Sequence, residues 1–397
     1  MIVHRRGPRL WLAGVDADAV QVAWRGLGRG LLRLRAVEAD DIAPLELELT
    51  GAPGVATLSG LPSSRLLTIE AAGAPLRSGP VRFAARTLGS LPGEELCRIA
   101  TVSDLHLGAR AFGQRGTITE PEDHADPHPL RCAEAAWQEA ASWGAERIIA
   151  KGDLTNLGAP HEWRQYAGLV AASPIPVDAV PGNHDHARPG VRGALLPSEA
   201  AAVHGLAIAQ PLLVRDLPGL RTVLADTTVA GTNPGSLAPV ADDIVDAVAD
   251  ADPACGVLVV LHHQLQPHRL PEGWPPGIRR DESATFLDRL GALHPHVLVT
   301  SGHTHRHRRW GRAGVVATQV GSTKDYPGVW AGYVVHEGGL RQIVRRIERP
   351  DVVAWTDRTR TAAWGLWEHT SPGRLDARCF DVAWQTLGPG TTAPLPG

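Results

Sequence analysis

Short runs of alternating apolar and polar residues dominate the first 94 residues of this 397-residue chain. The runs are separated by turns rich in Gly or Pro and cover residues 19–24, 31–35, 45–49, 55–58, 66–70 and 81–87. Alternation with a period of two predicts strands that bury one face, and this spacing favours an antiparallel β-sandwich. Trp24 lies in the first run and is predicted to be a core residue of that sandwich.

The pattern changes after residues 88–95, which have the Gly and Pro content of a linker. Apolar runs then alternate with longer stretches, of which the Ala-rich segment 130–143 is predicted to be a helix. The runs predicted to be strands are 98–102, 147–150, 177–180, 221–225, 256–261, 296–300 and 315–320. Strands that alternate with helices predict an α/β layer architecture.

Five polar motifs follow these predicted strands. They read D-x-H at 104–106, G-D at 152–153, G-N-H-D at 182–185, H-H at 262–263 and G-H-T-H at 302–305. In open α/β sheets, ligands bind at the carboxyl ends of strands, so we expect the motifs to converge there. Asp, Asn and His side chains suit borderline cations such as Mn, Fe or Zn. The set therefore predicts a two-metal hydrolytic centre.

The order of the motifs resembles that of the calcineurin-like metallophosphoesterases, over residues 96–345. The runs L-H-H at 261–263 and G-H-T-H at 302–305 are most similar to the class III cyclic-nucleotide phosphodiesterases and the purple acid phosphatases. The resemblance implies two packed sheets flanked by helices, an αββα sandwich, with metals at the shared edge. Residues 56–62 and 81–87 resemble a fibronectin type III module, which purple acid phosphatases carry before their catalytic domain.

The resemblance also assigns seven side chains to two metal ions. Asp153 is expected to bridge both cations. The residues expected to complete one site are Asp104, His106 and His305, and those expected to complete the other are Asn183, His262 and His303. Two such ions hold a bridging water, lower its pKa and so supply a hydroxide near neutral pH.

Two residues of the G-N-H-D motif have a different expected role. In the resembled family the imidazole at the position of His184 faces the leaving oxygen, and Asp185 orients it. An imidazole titrates near neutral pH and can donate a proton to an alkoxide. The alternative for His184, and the favoured role for His263, is to brace the site.

Other segments are candidates for the rim of the substrate pocket. The loop after the first motif holds His124 and His128, for which a solvated loop is the alternative interpretation. Segment 321–328 carries Lys324, two hydroxyls and Tyr326, and is a candidate to contact the phosphate or base of a nucleotide.

The function predicted from these motifs is hydrolysis of a small phosphodiester, such as a cyclic nucleotide or a glycerophosphodiester. A phosphomonoesterase is the close alternative. Purple acid phosphatases bind iron with a tyrosine, whose match would lie near the G-D motif. Here Leu154, Thr155 and Asn156 follow that motif and the next tyrosine is Tyr166, which argues against this branch. A nuclease needs a basic stripe that the sequence does not show, and an inactive scaffold is disfavoured because every ligand type is present.

Composition agrees with a soluble enzyme of two or more domains, at 43% hydrophobic and 20% charged residues. A net charge of −3 argues against nucleic acid and anionic membranes as partners, and favours a small phosphorylated substrate. The apolar run 10–15 is too short for a secretory leader, so the cytoplasm is expected. The four cysteines lack paired spacing and are expected to be free thiols. No protein partner is indicated.

These observations divide the chain into three predicted parts. They are a fibronectin III-like sandwich at 1–94, a catalytic domain at 95–345 and a Trp-rich extension at 346–397. The extension holds Trp355, Trp364, Trp367 and Trp384. We expect these indoles to pack on the catalytic domain, with partial cover of its cleft as the alternative.

Overall fold

The computed structural model describes residues 9–113, 116–120, 126–186, 190–268 and 275–384. Its first seven strands form two antiparallel sheets, with orders β1-β2-β5 and β4-β3-β6-β7. The strands are β1 (Arg9–Val15), β2 (Ala19–Arg25), β3 (Arg29–Ala36), β4 (Leu45–Thr50), β5 (Gly54–Ser59), β6 (Leu66–Gly73) and β7 (Val81–Arg86). Trp24, Leu34, Leu58 and Ile69 share one buried cluster between the sheets, which confirms an all-β N-terminal region with Trp24 in its core.

The remaining strands alternate with helices, as predicted. The strands are β8 (Glu95–Val102), β9 (Ala111–Phe112), β10 (Ile118–Thr119), β11 (Arg147–Lys151), β12 (Val177–Val180), β13 (Leu212–Leu217), β14 (Leu220–Ala225), β15 (Gly256–Val260), β16 (Val297–Ser301), β17 (Arg308–Arg312), β18 (Val315–Gln319), β19 (Val329–His336), β20 (Gly339–Arg346) and β21 (Phe380–Ala383). The helices are α1 (His128–Ser142), α2 (Pro160–Ala171), α3 (Pro197–His204), α4 (Ala241–Ala249), α5 (Arg280–Leu293), α6 (Pro350–Thr359), α7 (Trp367–Thr370) and α8 (Leu375–Arg378).

Two six-stranded sheets pack face to face in this region, with orders β12-β11-β8-β19-β20-β21 and β13-β14-β15-β16-β18-β17. Ile99, Ile149, Leu258 and Tyr333 belong to the core between them. Strand β15 reads Gly-Val-Leu-Val-Val and is buried throughout, because a central strand with both faces covered needs a continuous apolar run. Helices α1, α2 and α6 cover the first sheet, and α4 and α5 cover the second. The predicted αββα architecture is confirmed.

The C-terminal segment completes this fold. Strand β21 pairs antiparallel with β20, so the segment adds an edge strand to the first sheet. Among its indoles, Trp355 is buried and Trp364 is 78% exposed. A short 3-10 helix, Ala363–Gly365, precedes α7. Residues 385–397 lie outside the described residues.

The N-terminal sandwich contacts the same C-terminal segment. The Gln21 amide group donates to the Arg346 carbonyl and accepts from the Arg346 backbone N–H, both at 2.8 Å. A buried ion pair joins Arg25 to Glu368. No helix of the described ranges is both long enough and apolar enough to cross a bilayer. All four cysteines are free thiols, as predicted.

Candidate dinuclear metal centre

The five motifs converge where strands of both sheets end. Asp104, Asp153 and Asn183 follow β8, β11 and β12 of the first sheet, and His262 and His303 follow β15 and β16 of the second. Each of the five side chains comes two or three residues after its strand ends. The motif loops therefore meet at the shared edge of the sandwich.

Backbone conformation marks these loops as unusual. Positive φ angles occur at Asp104 (56°), His106 (48°), Asp153 (46°), His303 (70°) and His305 (54°). A residue with a Cβ adopts this region at a cost of about 1–3 kcal/mol, and such strain concentrates at functional sites. The strained backbone positions belong to five of the seven residues predicted to bind metal.

Glycines let the loops approach one another closely. A Cβ on Gly182 would lie 2.2 Å from the backbone nitrogen of Asp153. Gly152 has a φ of 81°, and a Cβ there would lie 2.4 Å from Nδ1 of His262. Both motifs thus need glycine for close contact, and Gly152 needs it for its positive φ as well.

One donor cluster consists of Asp104, His106 and His305, whose ligand atoms lie within 4.8 Å of one another. Nε2 of His106 lies 3.4 Å from Nε2 of His305. The latter nitrogen lies 3.5 Å from Oδ1 of Asp104. The structure therefore brings together the set that the sequence predicted for one metal.

A second cluster lies beside the first. Nε2 of His262 is 3.3 Å from Oδ1 of Asn183 and 3.1 Å from Nδ1 of His303. This is the set that the sequence predicted for the other metal. Asp153 lies between the clusters: its Oδ2 is 3.4 Å from Nε2 of His106, and its Oδ1 is 3.4 Å from Nε2 of His262. One carboxylate oxygen faces each cluster, as a bridging ligand requires.

The outer nitrogens of three imidazoles have acceptors that fix the rings. Nδ1 of His262 donates to the Lys151 carbonyl at 2.8 Å, and Nδ1 of His305 donates to Asp325 at 2.5 Å. Nε2 of His303 donates to the Pro276 carbonyl at 3.3 Å. When these outer nitrogens carry the proton, the inner nitrogens of the neutral rings present lone pairs to one another. Converging lone pairs with carboxylates fit metal cations, so the donor set suits the metal ions that its chemistry implies.

The electrostatics of the metal-free cluster differ from ring to ring. Burial lowers the pKa of His262, but the nearby Asp153 carboxylate outweighs burial and raises that pKa to about 9. Burial and the charge of His262 lower the pKa of His303 to about 3. Despite burial, the surrounding imidazoles hold the pKa of Asp153 well below its ordinary value. The metal-free cluster thus holds a proton on His262 that a cation must displace.

The Asp185 carboxylate accepts hydrogen bonds from the backbone. Its donors are the N–H groups of Leu154 (3.1 Å), Thr155 (2.7 Å) and Gly182 (2.8 Å). Nδ1 of His184 lies 3.0 Å from the Asn156 carbonyl, and the expected role of Asp185 in orienting the His184 ring stays a prediction. Asp185 braces the loop that carries Asp153, because its oxygens are occupied by backbone donors of the two loops.

His184 lies at the edge of the first cluster. Its backbone N–H donates to Oδ1 of Asp153 at 2.9 Å, and its ring packs edge-on to His106 at 4.6 Å. His263 forms a 2.8 Å hydrogen bond between Nδ1 and the Thr227 hydroxyl, and it is fully buried beside His262. The catalytic role of His184 and the bracing role of His263 remain predictions.

A cleft of about 1610 Å³, part of it open to solvent, lies over both clusters. Its apolar wall includes Phe112, Leu366 and Trp367, and its cations are Lys324 and Arg306. The ammonium of Lys324 lies 4.7 Å from the Phe112 ring centre and 3.6 Å from the Asp325 carboxylate. The C-terminal segment therefore covers part of the cleft as well as packing on the domain.

Two other residues that the sequence suggested for the rim of the substrate pocket do not line the cleft. His128 is fully buried and stacks on Trp355, with ring centres 3.8 Å apart, so it does not line the cleft. Tyr326 faces a separate cavity. His124 lies outside the described residues. Sequence reasoning missed Phe112 as a cleft residue, because nothing in the local pattern distinguishes it from a core aromatic.

An αββα sandwich with buried His and Asp clusters at one edge defines a metal-dependent hydrolase. Residues 97–307 match the family described as calcineurin-like phosphoesterase, and the chain belongs to that family. The predicted resemblance is thus confirmed at the level of the family and of a metal-dependent phosphoesterase. The branch within the family and the fibronectin III-like module remain predictions.

The chain is also similar, at low sequence identity, to several solved structures. GAP50, the anchor in the inner membrane complex of Plasmodium, is 12% identical, with 66% of this chain and 87% of that chain covered and a TM-score of 0.43. The phosphopantetheinyl hydrolase PptH of Mycobacterium tuberculosis is 15% identical, with 57% and 90% covered and a TM-score of 0.36. Vps29 of Entamoeba histolytica, complexed with zinc, is 11% identical, with 62% and 89% covered and a TM-score of 0.30. No curated protein sequence matches the chain significantly.

Proposed function

We propose that the protein hydrolyses a small phosphodiester, of the cyclic-nucleotide or glycerophosphodiester type, with two bound metal ions. The observation that carries the two-metal part is the position of Asp153, with one oxygen 3.4 Å from a nitrogen of each donor cluster. A shared carboxylate between two His-containing sets is what a dinuclear phosphoesterase requires. Mn, Fe and Zn all suit this mixed set of oxygen and nitrogen donors.

The residues that would hold the metals are those of the two clusters, with Asp153 between them. When bound, two such cations lower the pKa of water and neutralise charge on the phosphate. The chain itself fixes the imidazoles through Lys151, Pro276 and Asp325, so the donors need little rearrangement. His184 is held by the Asn156 carbonyl at Nδ1, so Nε2 is the nitrogen that would pass a proton to the leaving alkoxide.

A preference for diesters is supported by the shape and charge of the cleft. Its apolar wall, which includes Phe112, Leu366 and Trp367, can hold a second ester group beside the metal centre. Lys324 already lies 3.6 Å from the Asp325 carboxylate. Its positive charge is thus partly compensated, which suits the single charge of a diester better than the double charge of a monoester.

The test is a substrate panel on the manganese-loaded protein. We expect bis(p-nitrophenyl) phosphate, cyclic nucleotides or glycerophosphocholine to be hydrolysed with a kcat/KM at least tenfold above that of p-nitrophenyl phosphate. A higher kcat/KM for the monoester would favour the phosphomonoesterase, and cleavage of single-stranded DNA alone would favour the nuclease. Asp153→Asn serves as the control, since activity that persists in this variant would come from a contaminant.

We also propose that the N-terminal region is a separate module at 1–94 that resembles fibronectin type III, followed by the catalytic domain at 95–345 and the extension at 346–397. Its own buried core supports this division. We further propose a cytoplasmic location and a small phosphorylated substrate, the latter in keeping with the net charge of −3.

A further inference from the structure

A second cavity, about 760 Å³ including its open part, lies between the N-terminal sandwich and the C-terminal segment. Strand β1 contributes Arg9, Trp11 and Ala13. The catalytic domain and the C-terminal segment contribute the rest of the lining, which includes Tyr326, Pro327, Arg346, Glu368 and Arg378. None of these residues belongs to the donor clusters.

Two guanidinium groups of this cavity form no ion pair with a carboxylate in the described part of the chain. Arg346 is 3% exposed and Arg378 is 8% exposed. Nε of Arg346 donates to the Pro327 carbonyl at 2.8 Å, but its Nη1 and Nη2 have no hydrogen-bond partner among the described residues. Nε of Arg378 likewise has none within the described part of the chain. A buried cation with unmade hydrogen bonds is costly, so a chain that keeps two of them has a reason other than packing.

Two carboxylates near this cavity already have cationic partners. Glu368 already pairs with Arg9, Arg25 and Arg360. Asp357 pairs with Arg360 at 3.3 Å and lies 3.9 Å from Arg25. The guanidinium groups of Arg9, Arg25 and Arg360 thus share two carboxylates before Arg346 and Arg378 are considered. The cavity and its surroundings carry an excess of positive charge.

Aromatic rings hold one of these arginines in place. The Cζ atom of Arg346 lies 5.9 Å from the ring centre of Trp11 and 5.2 Å from that of Tyr326. This position between two rings fixes the guanidinium plane and reduces the entropy lost when an anion binds. Guanidinium groups bind phosphate through paired N–H donors with charge assistance.

We propose that this cavity binds a phosphate group, either free or carried by a small ester, through Arg346 and Arg378. The site is separate from the metal centre and does not depend on the proposed phosphodiesterase activity. It joins the sandwich to the catalytic fold, because its lining comes from both.

The test uses the full chain, titrated calorimetrically with inorganic phosphate against sodium chloride of matched ionic strength. Because phosphate can also bind at the metals, the metal-loaded and the chelator-treated protein are compared. The cavity should bind phosphate in both preparations, and the metal centre only in the loaded one. Glycerol 2-phosphate in a parallel titration shows whether the cavity accepts an ester as well as the free ion.

Arg378→Met should weaken phosphate binding to the chelator-treated protein by about tenfold or more, because one charged donor is lost. Arg309→Met is the matched control. Arg309 donates to the carbonyl of Asp376 in α8, the helix that contains Arg378, but it does not line the cavity. Affinity that is unchanged in Arg378→Met, or wild-type protein that binds no phosphate without metal, would overturn the proposal.

Thermal melting distinguishes phosphate binding by Arg378 from a purely structural role of this residue. In phosphate-free buffer Arg378→Met should melt no lower than the wild type, since it removes a buried charge with unmade hydrogen bonds. Phosphate should raise the melting temperature of the wild type and of Arg309→Met only. If Arg378→Met does not fold, an absence of any phosphate effect on the melting of chelator-treated wild type still refutes the site.

Discussion

The buried Asp325 carboxylate accepts a 2.5 Å hydrogen bond from Nδ1 of His305, a predicted metal ligand. Its other oxygen accepts the indole N–H of Trp367 at 3.3 Å. A chain of two hydrogen bonds thus links the C-terminal segment to the metal centre. A carboxylate behind a ligating imidazole fixes the ring and raises its basicity.

Asp325→Asn should therefore weaken metal binding by about 10–100-fold, the usual effect of losing such a partner. Trp367→Phe should have a smaller effect in the same direction, because it removes only the donor to Asp325. Competition with a chromophoric chelator measures both affinities. Asp381→Asn is a suitable control, since Asp381 pairs with Arg341 at 2.7 Å and does not line the cleft. Equal affinities in Asp325→Asn and Asp381→Asn would contradict the linkage.

The position of Asp153 between the clusters predicts unequal effects of ligand removal. Asp153→Ala should lose both metals and nearly all activity, because both sites share this carboxylate. Asn183→Ala should chiefly weaken one site, so that elemental analysis finds about one metal per chain instead of two. A wild-type preparation that is fully active without metal would contradict the two-metal assignment.

Metal affinity should depend on pH through His262, whose pKa is raised to about 9 in the metal-free protein. At pH 7 this imidazole carries a proton, and only the neutral ring can bind a cation. Metal binding below pH 9 should therefore release this proton, and affinity should rise about tenfold per pH unit from this group alone. Calorimetry in buffers of different ionisation enthalpy counts the protons. An affinity that is constant between pH 6.5 and 8.5 would refute this prediction.

His184→Ala separates an acid role from a bracing role. A general acid contributes about 10²–10⁴-fold when the leaving group needs a proton. The variant should slow an alkyl phosphodiester by that order and slow a nitrophenyl ester far less, with metal content unchanged. His262→Ala should depress both substrates together, because it damages metal binding. Equal losses on both esters in His184→Ala would return His184 to the bracing role.

Gly182 and Gly168 offer a matched pair for folding stability. A Cβ at position 182 would lie 2.2 Å from the Asp153 nitrogen, whereas one at position 168, in α2, would meet nothing within 4 Å. Gly182→Ala should lower the free energy of unfolding by about 1–3 kcal/mol through overpacking. Gly168→Ala should raise it by about 0.5–1 kcal/mol through helix propensity. Urea unfolding of the metal-free variants measures both, and a stable Gly182→Ala would show that the loops can separate.

The local pattern of apolar and polar residues was enough to predict the strands that precede the metal ligands. Segment 177–180 is the strand β12 as predicted, and the helix predicted at 130–143 is α1, His128–Ser142. The periodicity of apolar residues and the residues of each motif are local properties of the sequence, so both can be recognised without knowledge of the tertiary structure. The convergence of both donor clusters also followed, because every motif comes just after a strand end.

Contacts between distant parts of the chain could not be read in this way. Nothing near Asp325 indicates that it faces His305, and nothing near Trp367 indicates that it reaches Asp325. The hydrogen bonds from the Thr155 and Gly182 backbone to Asp185 could not be predicted either, because every residue except proline carries an N–H group. Strand β1 was not predicted, because its apolar run 10–15 does not alternate with polar residues. Strand pairing of β21 with β20 depends on tertiary packing rather than on local pattern.

The pairing of β8 with β19 places Thr101 opposite Ala331. During synthesis, therefore, the central pair of the first sheet cannot form until most of the chain has left the ribosome, whereas all seven sandwich strands have emerged by residue 86. A nascent chain of intermediate length then presents an unpaired edge of β8 beside the finished sandwich strands. Such edges are prone to aggregation, so the expression of this protein should respond more strongly to chaperone supply than to the stability of its finished fold.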